Sequence, residues 1–225
     1  MSIKAIIFDL DGTLIRHDEA YQSACVRSVA RCSFNPLWKL KATFGAKDGW
    51  PDTLQNVYEK GLHGDIYNGT PDALCRLFDK ARRGMSLGYI SVDTKLLKAL
   101  KQAKESGVEL YVMTHSEENI ALKALKKAGL GEVFGKEDVH SVSGKQWGNT
   151  YVDFLRTRIQ GIYPEEVMFF DDLKRNCIAA REAGLYAVHI VKDDDETLAE
   201  MILDVVKYNQ EHEQVVQAEM QTVEL

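Results

Sequence analysis

The feature that most constrains the fold is an apolar run near the N-terminus that ends in two carboxylates. The run Ile6-Ile7-Phe8 is followed by Asp9-Leu10-Asp11-Gly12-Thr13. Side chains two residues apart in a strand point to the same side, and the chain must turn at Gly12, a residue that favours turns. We therefore expect a core strand that ends at Asp9 and places both acids at the mouth of a sheet.

A carboxylate pair in this position suits a two-step phosphoryl transfer. One aspartate would attack phosphorus and be modified covalently, while the other would move a proton. The same Asp-Gly pair is also an ordinary turn and helix-capping signal. Taken alone, the segment leaves both interpretations open.

A second strand is predicted over residues 108–114, and it ends at Thr114, followed by His115 and Ser116. The preceding segment, residues 93–106, has leucines at helical spacing and closes on Gly107, as a helix before a parallel strand would. The hydroxyls at the strand end would either bind a ligand or cap a helix that starts near Glu117.

A third strand end carries two adjacent acids, in the segment Val167-Met168-Phe169-Phe170-Asp171-Asp172. Buried carboxylates repel each other and lose their hydration, so this pair would be costly in a core without a cation. A divalent metal would resolve the conflict. The following residues, 173–184, predict a helix that leads into a strand over 185–191.

These segments, in this order, resemble the sequence motifs of the haloacid dehalogenase superfamily, whose members are mostly magnesium-dependent phosphatases. The resemblance implies that Asp9 is the nucleophile and Asp11 the general acid and base. It also implies that the Thr114 hydroxyl and the amides of His115 and Ser116 hold the transferring phosphoryl group.

The resemblance further implies a lysine beside the phosphoryl group and a Mg²⁺ ion. Lys145 is the candidate lysine and Lys136 its competitor, although Gln146 and Trp147 stand where many members have a nearby proline. The metal ligands implied are Asp9, the backbone carbonyl of Asp11, and Asp171. Asp172 would orient this shell or bind the metal through water.

The predicted fold is an α/β domain with a doubly wound, mostly parallel, Rossmann-like sheet, in which ligands bind at the carboxyl edge. Residues 1–14 and 90–225 would form this discontinuous core. Residues 15–89 would form an inserted domain that resembles the helical cap of one large subgroup of the family, with hinges at 14–16 and 84–89. Its four predicted helices span 18–32, 36–44, 51–60 and 71–83.

Composition excludes several other classes. The net charge of −6 and the lack of a basic run argue against nucleic-acid binding. Neither a transmembrane segment nor a signal peptide is recognisable, so we expect a cytoplasmic protein with no membrane role. The four cysteines lack metal-ligand spacing and are expected to be reduced; they are Cys25, Cys32, Cys75 and Cys177.

The C-terminal region predicts one more helix, starting near Thr197 after the acidic residues 193–196. Residues 209–225 are either a frayed extension of that helix or a contact for a second subunit. The oligomeric state is left open by the sequence.

The sequence predicts a Mg²⁺-dependent phosphomonoester hydrolase acting on a small phosphorylated metabolite. A nucleotidase and a phosphoglycolate phosphatase-like enzyme are the leading possibilities. Two alternatives are kept: a phosphosugar mutase of the same fold, and a non-catalytic binding protein that retains the fold.

Overall fold

A computed structural model of the chain describes residues 2–17, 90–91, 94–142, 145, 147–191 and 197–223. Several predictions fall outside these residues. They concern the four cap helices, the hinge at 84–89, the acidic residues 193–196, and Cys25, Cys32 and Cys75.

The described elements alternate between strands and helices along most of the chain. In order they are β1 (Ala5–Phe8), β2 (Arg16–His17), β3 (Ile90–Ser91), α1 (Thr94–Glu105), β4 (Glu109–Thr114), α2 (Glu118–Lys127), β5 (Val139–Ser141), α3 (Gly148–Arg158), β6 (Val167–Asp171), α4 (Lys174–Glu182), β7 (Tyr186–His189) and α5 (Leu198–Val223). A single 3-10 turn, Pro164–Glu166, precedes β6.

Five of the described strands form one parallel sheet in the order β5-β4-β1-β6-β7. The first strand of the chain lies in the middle, and all four of its residues are buried. Phe8 is level with Val112 of β4 and with Phe170 of β6. An apolar strand of this kind is typical of a parallel sheet that is covered on both faces.

Helices cover both faces of this sheet. On one face α1, α2 and α5 pack against Ile6, Phe8 and Leu110. On the other face α3 and α4 pack against Ile7 and Phe169. The predicted doubly wound α/β fold is therefore confirmed for the core.

Element boundaries lie within two residues of the prediction for most of the core. The helix predicted over 93–106 spans Thr94–Glu105, and Gly107 follows it with a φ of 86°, a value that glycine adopts readily. The sequence also predicts a helix over 150–160, and α3 spans Gly148–Arg158. Strand β5 was not predicted, because its three residues are too few to show a periodic pattern.

The C-terminal helix is capped at its start and is hydrogen-bonded to the N-terminal segment farther along. At its start, the Glu200 carboxylate accepts a hydrogen bond from the Thr197 amide at 2.8 Å, and the Thr197 hydroxyl accepts one from the Glu200 amide at 3.3 Å. Farther along, buried Asn209 bonds both backbone groups of Ile3, at 2.9 and 2.6 Å. The helix then continues to Val223. Of the described helices, none combines the length and apolar character needed to span a bilayer.

Strands β2 and β3 form a separate two-stranded antiparallel ribbon. Arg16 pairs with Ser91 and His17 with Ile90. The ribbon therefore joins the chain segments at the two ends of residues 18–89.

Candidate active site

Three side chains singled out by the sequence meet at the carboxyl edge of the sheet. Asp9 follows β1, Thr114 ends β4 and Asp171 ends β6, and these three strands are neighbours. The Asp9 amide donates to the Phe170 carbonyl at 2.8 Å, which continues the pairing of β1 with β6 by one residue. All three residues are buried, with exposed fractions of 6% or less.

Lys145 lies between two of these carboxylates. Its ammonium contacts Oδ1 of Asp9 and lies 3.0 Å from Oδ2 of Asp171, and a third hydrogen bond goes to the Met113 carbonyl at 3.3 Å. The competing candidate, Lys136, is instead 3.7 Å from Glu118 and its side chain is 77% exposed. The structure therefore places Lys145, and not Lys136, in the aspartate cluster.

Asp172 is the third carboxylate of the cluster, and it lies against Gly12 in the loop that follows β1. Gly12 has a φ of 99°, and a Cβ at this position would overlap the Asp172 carboxylate. One carboxylate oxygen from each of Asp9, Asp171 and Asp172 lies within 4.8 Å of the others. Only a residue without a side chain fits at position 12 while the carboxylates stay this close.

Charge is unbalanced in this cluster. Burial, with the neighbouring Asp171, Asp172 and Asp11, raises the pKa of Asp9 well above its usual value against the opposing effect of Lys145. Burial and Asp171 raise the pKa of Asp172 to about 7. Burial alone would lower the pKa of Lys145, but the carboxylates of Asp171 and Asp9 outweigh it and raise that pKa above its usual value. The lysine is therefore held as an ammonium.

These residues fit a divalent cation. Lys145 supplies one positive charge among four carboxylates, those of Asp9, Asp11, Asp171 and Asp172, so negative charge is left uncompensated. Carboxylate oxygens are the ligands that Mg²⁺ prefers in proteins. Three such oxygens lie close enough together to share one ion, and the ion would relieve the repulsion that raises the pKa of Asp9.

The segment after β4 lies beside the first loop. The Ser116 amide donates to Oγ1 of Thr114 at 3.1 Å, and the Ser116 hydroxyl lies 3.1 Å from Oδ2 of Asp11. The Ser116 amide thus closes a local turn on Thr114, and the role in holding a phosphoryl group that the resemblance implies for the amides of His115 and Ser116 stays a prediction. Burial and then Lys145 lower the pKa of His115 to about 4, so its imidazole is neutral at pH 7.

Two polar residues of the site were not assigned a role from the sequence. Asn176 is fully buried, and its amide nitrogen lies 3.1 and 3.0 Å from the two carboxylate oxygens of Asp171. Tyr151 is also fully buried, and its hydroxyl contacts the carbonyls of Lys145 and Asn176. The sequence could have indicated Asn176, because it is a polar residue in the first turn of the helix that follows the acidic strand end. The Tyr151 contacts depend on tertiary packing.

Comparisons with known proteins agree on one family. The family model for haloacid dehalogenase-like hydrolases matches residues 3–184. The chain is 25% identical over 205 residues to Protein CbbY of Rhodobacter capsulatus, covering 84% of this chain and 85% of that protein. It is 24% identical over 183 residues to Phosphoglycolate phosphatase 1 of Pseudomonas aeruginosa, covering 81% and 67% of the two chains.

A solved structure gives the same result for the fold. A haloacid dehalogenase-like hydrolase from Streptococcus pneumoniae superposes with a TM-score of 0.59 at 17% sequence identity. The superposition covers 92% of this chain and 98% of the other.

Proposed function

Since the chain belongs to the haloacid dehalogenase-like hydrolase family, we propose that it is a Mg²⁺-dependent phosphatase that acts on a small phosphorylated metabolite. The observation that carries this proposal is the buried contact of Lys145 with Asp9 and Asp171, beside the further carboxylate of Asp172. A fixed ammonium next to a nucleophilic carboxylate is suited to stabilising a phosphoryl group in transfer.

In the first step, a carboxylate oxygen of Asp9 attacks phosphorus in line with the leaving oxygen. A P–O bond to Asp9 forms as the P–O bond to the leaving group breaks, and Asp11 gives its proton to the departing alkoxide. In the second step, Asp11 takes a proton from a water molecule. That water attacks phosphorus and releases Asp9 and inorganic phosphate.

Residues around the cluster supply the charge stabilisation. Lys145 and the Thr114 hydroxyl donate hydrogen bonds to the equatorial phosphoryl oxygens, and each well-placed donor is worth about 3 to 4 kcal/mol. Asp9, the carbonyl of Asp11, and Asp171 would hold Mg²⁺, with Asp172 orienting them or binding through water. When bound, Mg²⁺ neutralises the carboxylates and polarises a phosphoryl oxygen.

We also propose that residues 15–89 form a cap over this site. The β2–β3 ribbon supports this division, because it brings together the two points at which the segment leaves and re-enters the core. A cap hinged at this ribbon would exclude water from the phosphoryl group and contact the leaving group.

The name of the Pseudomonas aeruginosa relative makes phosphoglycolate the first substrate to test. Nucleoside monophosphates and sugar phosphates complete the panel. The experiment measures phosphate release with and without Mg²⁺, using Asp9→Asn as the blank.

We expect Mg²⁺-dependent release that falls on the order of 10⁴-fold or more in Asp9→Asn, because a nucleophile is lost while the fold is kept. Full activity in that variant would remove Asp9 as the nucleophile. Transfer of phosphate to a second position on the sugar, with none released, would instead identify a mutase.

A further inference from the structure

Tyr151 connects two parts of the proposed site that are distant in sequence. Its hydroxyl oxygen lies 2.9 Å from the Lys145 carbonyl and 3.2 Å from the Asn176 carbonyl. Lys145 contributes the ammonium of the cluster, and Asn176 lies in the first turn of α4. One buried hydroxyl, its single proton shared between two carbonyls, therefore lies between the backbone that carries the lysine and the helix that follows the acidic strand end.

Asn176 extends this connection to Asp171. Its amide nitrogen lies within hydrogen-bond distance of both carboxylate oxygens of Asp171, and the Leu173 amide donates to Oδ1 of the same carboxylate at 2.8 Å. Lys145 donates to Oδ2 at 3.0 Å. The orientation of Asp171 therefore depends on two segments, and Tyr151 contacts the backbone of both.

The surroundings of Tyr151 hold it in one place. The residue is fully buried, and its ring packs edge-to-face on Phe169, with ring centroids 5.1 Å apart. Phe169 belongs to β6, the strand that ends at Asp171. Burial raises the pKa of the Tyr151 hydroxyl, so it remains a hydrogen-bond donor at any working pH.

We propose that Tyr151 is a positioning residue for the phosphoryl-transfer site. Its hydroxyl fixes the backbone of Lys145 relative to α4, and this sets the distance from the Lys145 ammonium to the Asp171 carboxylate. The inference rests on the proposed function, because it assigns Tyr151 a part in holding Mg²⁺ and the phosphoryl group. Tyr151 touches neither of them and acts through Lys145 and Asn176.

The test is Tyr151→Phe, which removes the hydroxyl and keeps the ring on Phe169. Tyr111→Phe is the matched control, because its hydroxyl contacts Glu109 and no residue of the site. Ile202→Val is a second control. Ile202 is fully buried in the core under α5, so removing one methylene should lower the melting temperature. The substitution leaves the site unchanged and therefore shows what lost stability alone does to Kd and kcat.

Two quantities are measured on the full chain. Calorimetric titration with Mg²⁺ in the absence of substrate gives a Kd, and phosphate release at saturating Mg²⁺ gives kcat and KM. Substituting a residue that orients metal ligands typically lowers metal affinity or activity about 10- to 100-fold. We expect the lower end for Tyr151→Phe, about a tenfold rise in Kd and about a tenfold fall in kcat, with KM within about twofold of wild type.

Both controls should keep the wild-type Kd and kcat. A lowered melting temperature in Tyr151→Phe with unchanged Kd and kcat would overturn the proposal, because the hydroxyl would then serve stability alone. If the wild-type protein releases no phosphate but Tyr151→Phe still weakens Mg²⁺ binding, the positioning role stands and the phosphatase proposal fails. A wild-type protein that binds no Mg²⁺ would overturn both.

Discussion

Strands β1 and β6 carry charged residues at both ends, and the two ends differ in charge balance. At the amino end, Lys4 lies 2.7 Å from Glu166, with Lys4 half exposed, so one cation meets one anion. At the carboxyl end, Lys145 contacts Asp9 and Asp171, with Asp172 close by, and the lysine is 1% exposed. The same two strands thus carry a balanced ion pair at one edge and an excess of buried negative charge at the other.

The difference separates a structural ion pair from the proposed active site. The lysine of this pair is half exposed, so the pair is partly screened by water and contributes little to stability. Buried carboxylates that repel each other cost stability, and such clusters occur where a ligand or a reaction uses them. Charge balance at matched strand ends is therefore a better guide to function here than the presence of an ion pair.

Removing the lysine from each end gives the largest expected contrast. Lys145→Met leaves Asp9 and Asp171 buried without their cation, which should cost about 3 to 5 kcal/mol of unfolding free energy. Activity should fall about 10²- to 10³-fold, because a donor to the phosphoryl group is lost. Lys4→Met should leave kcat unchanged and alter stability little. Urea denaturation and phosphate-release assays measure both quantities.

The double variant Asp9→Asn/Lys145→Met tests the reason for this contrast. Removing one buried negative charge should restore part of the lost stability, while activity should fall below that of Lys145→Met because the proposed nucleophile is lost. If Lys145→Met unfolds no more easily than Lys4→Met, the carboxyl edge carries no greater excess of buried negative charge than the amino edge.

Much of this contrast was predictable from the sequence. Asp9 and Asp171 follow apolar runs that can only be buried strands, and parallel strands bring their carboxyl ends to one edge. The turn after Asp9 was also predictable, because glycine favours such turns and occupies position 12. The position of the acids therefore follows from local pattern and from the topology of a parallel sheet.

Other parts of the site depended on tertiary contacts. Nothing in the local sequence separates Lys145 from Lys136, since both precede helices or turns and the difference arises from packing. The hydroxyl contact from Ser116 to Asp11 joins residues 105 positions apart. Tyr151 falls within the helix predicted over 150–160, but its two carbonyl partners were not predicted. The inserted residues 18–89 lie outside the described structure, so the cap remains a prediction.

The two edges should respond to pH in opposite directions. The pKa of Asp172 is about 7 in the folded protein, above its usual value of 3.8, so the folded state binds the extra proton. Without metal, this contribution to stability is full at low pH and is lost as pH rises toward 7 and beyond. Hydrogen bonds from Lys4 and from the Tyr163 amide lower the pKa of Glu166 below 4.5. Its contribution is present above pH 4.5 and is lost as pH falls below it.

Melting temperatures from pH 3 to pH 9 in EDTA measure both slopes. Asp172→Asn should flatten the loss of stability between about pH 4 and pH 7, and Glu166→Gln should flatten the loss below pH 4.5. Saturating Mg²⁺ should raise the melting temperature most at high pH, where the carboxylates are ionised. A slope between about pH 4 and pH 7 that is the same in wild type and Asp172→Asn would exclude Asp172 as its source.

The smallest expected effect concerns the hydrogen bond from Ser116 to Asp11, 3.1 Å long. The Ser116 hydroxyl donates to Oδ2 of Asp11 and, in the proposed mechanism, would orient the carboxyl that carries the transferred proton. Ser116→Ala should slow turnover of an alkyl phosphate such as phosphoglycolate about tenfold. This is less than the roughly 10²- to 10⁴-fold rate enhancement that general acid catalysis typically supplies, because Asp11 itself is kept. Turnover of p-nitrophenyl phosphate should change less, because nitrophenolate leaves without a proton. Ser116→Thr keeps the hydroxyl and should restore the alkyl rate. An equal loss on both substrates would show that Ser116 acts on the phosphoryl group and not through Asp11.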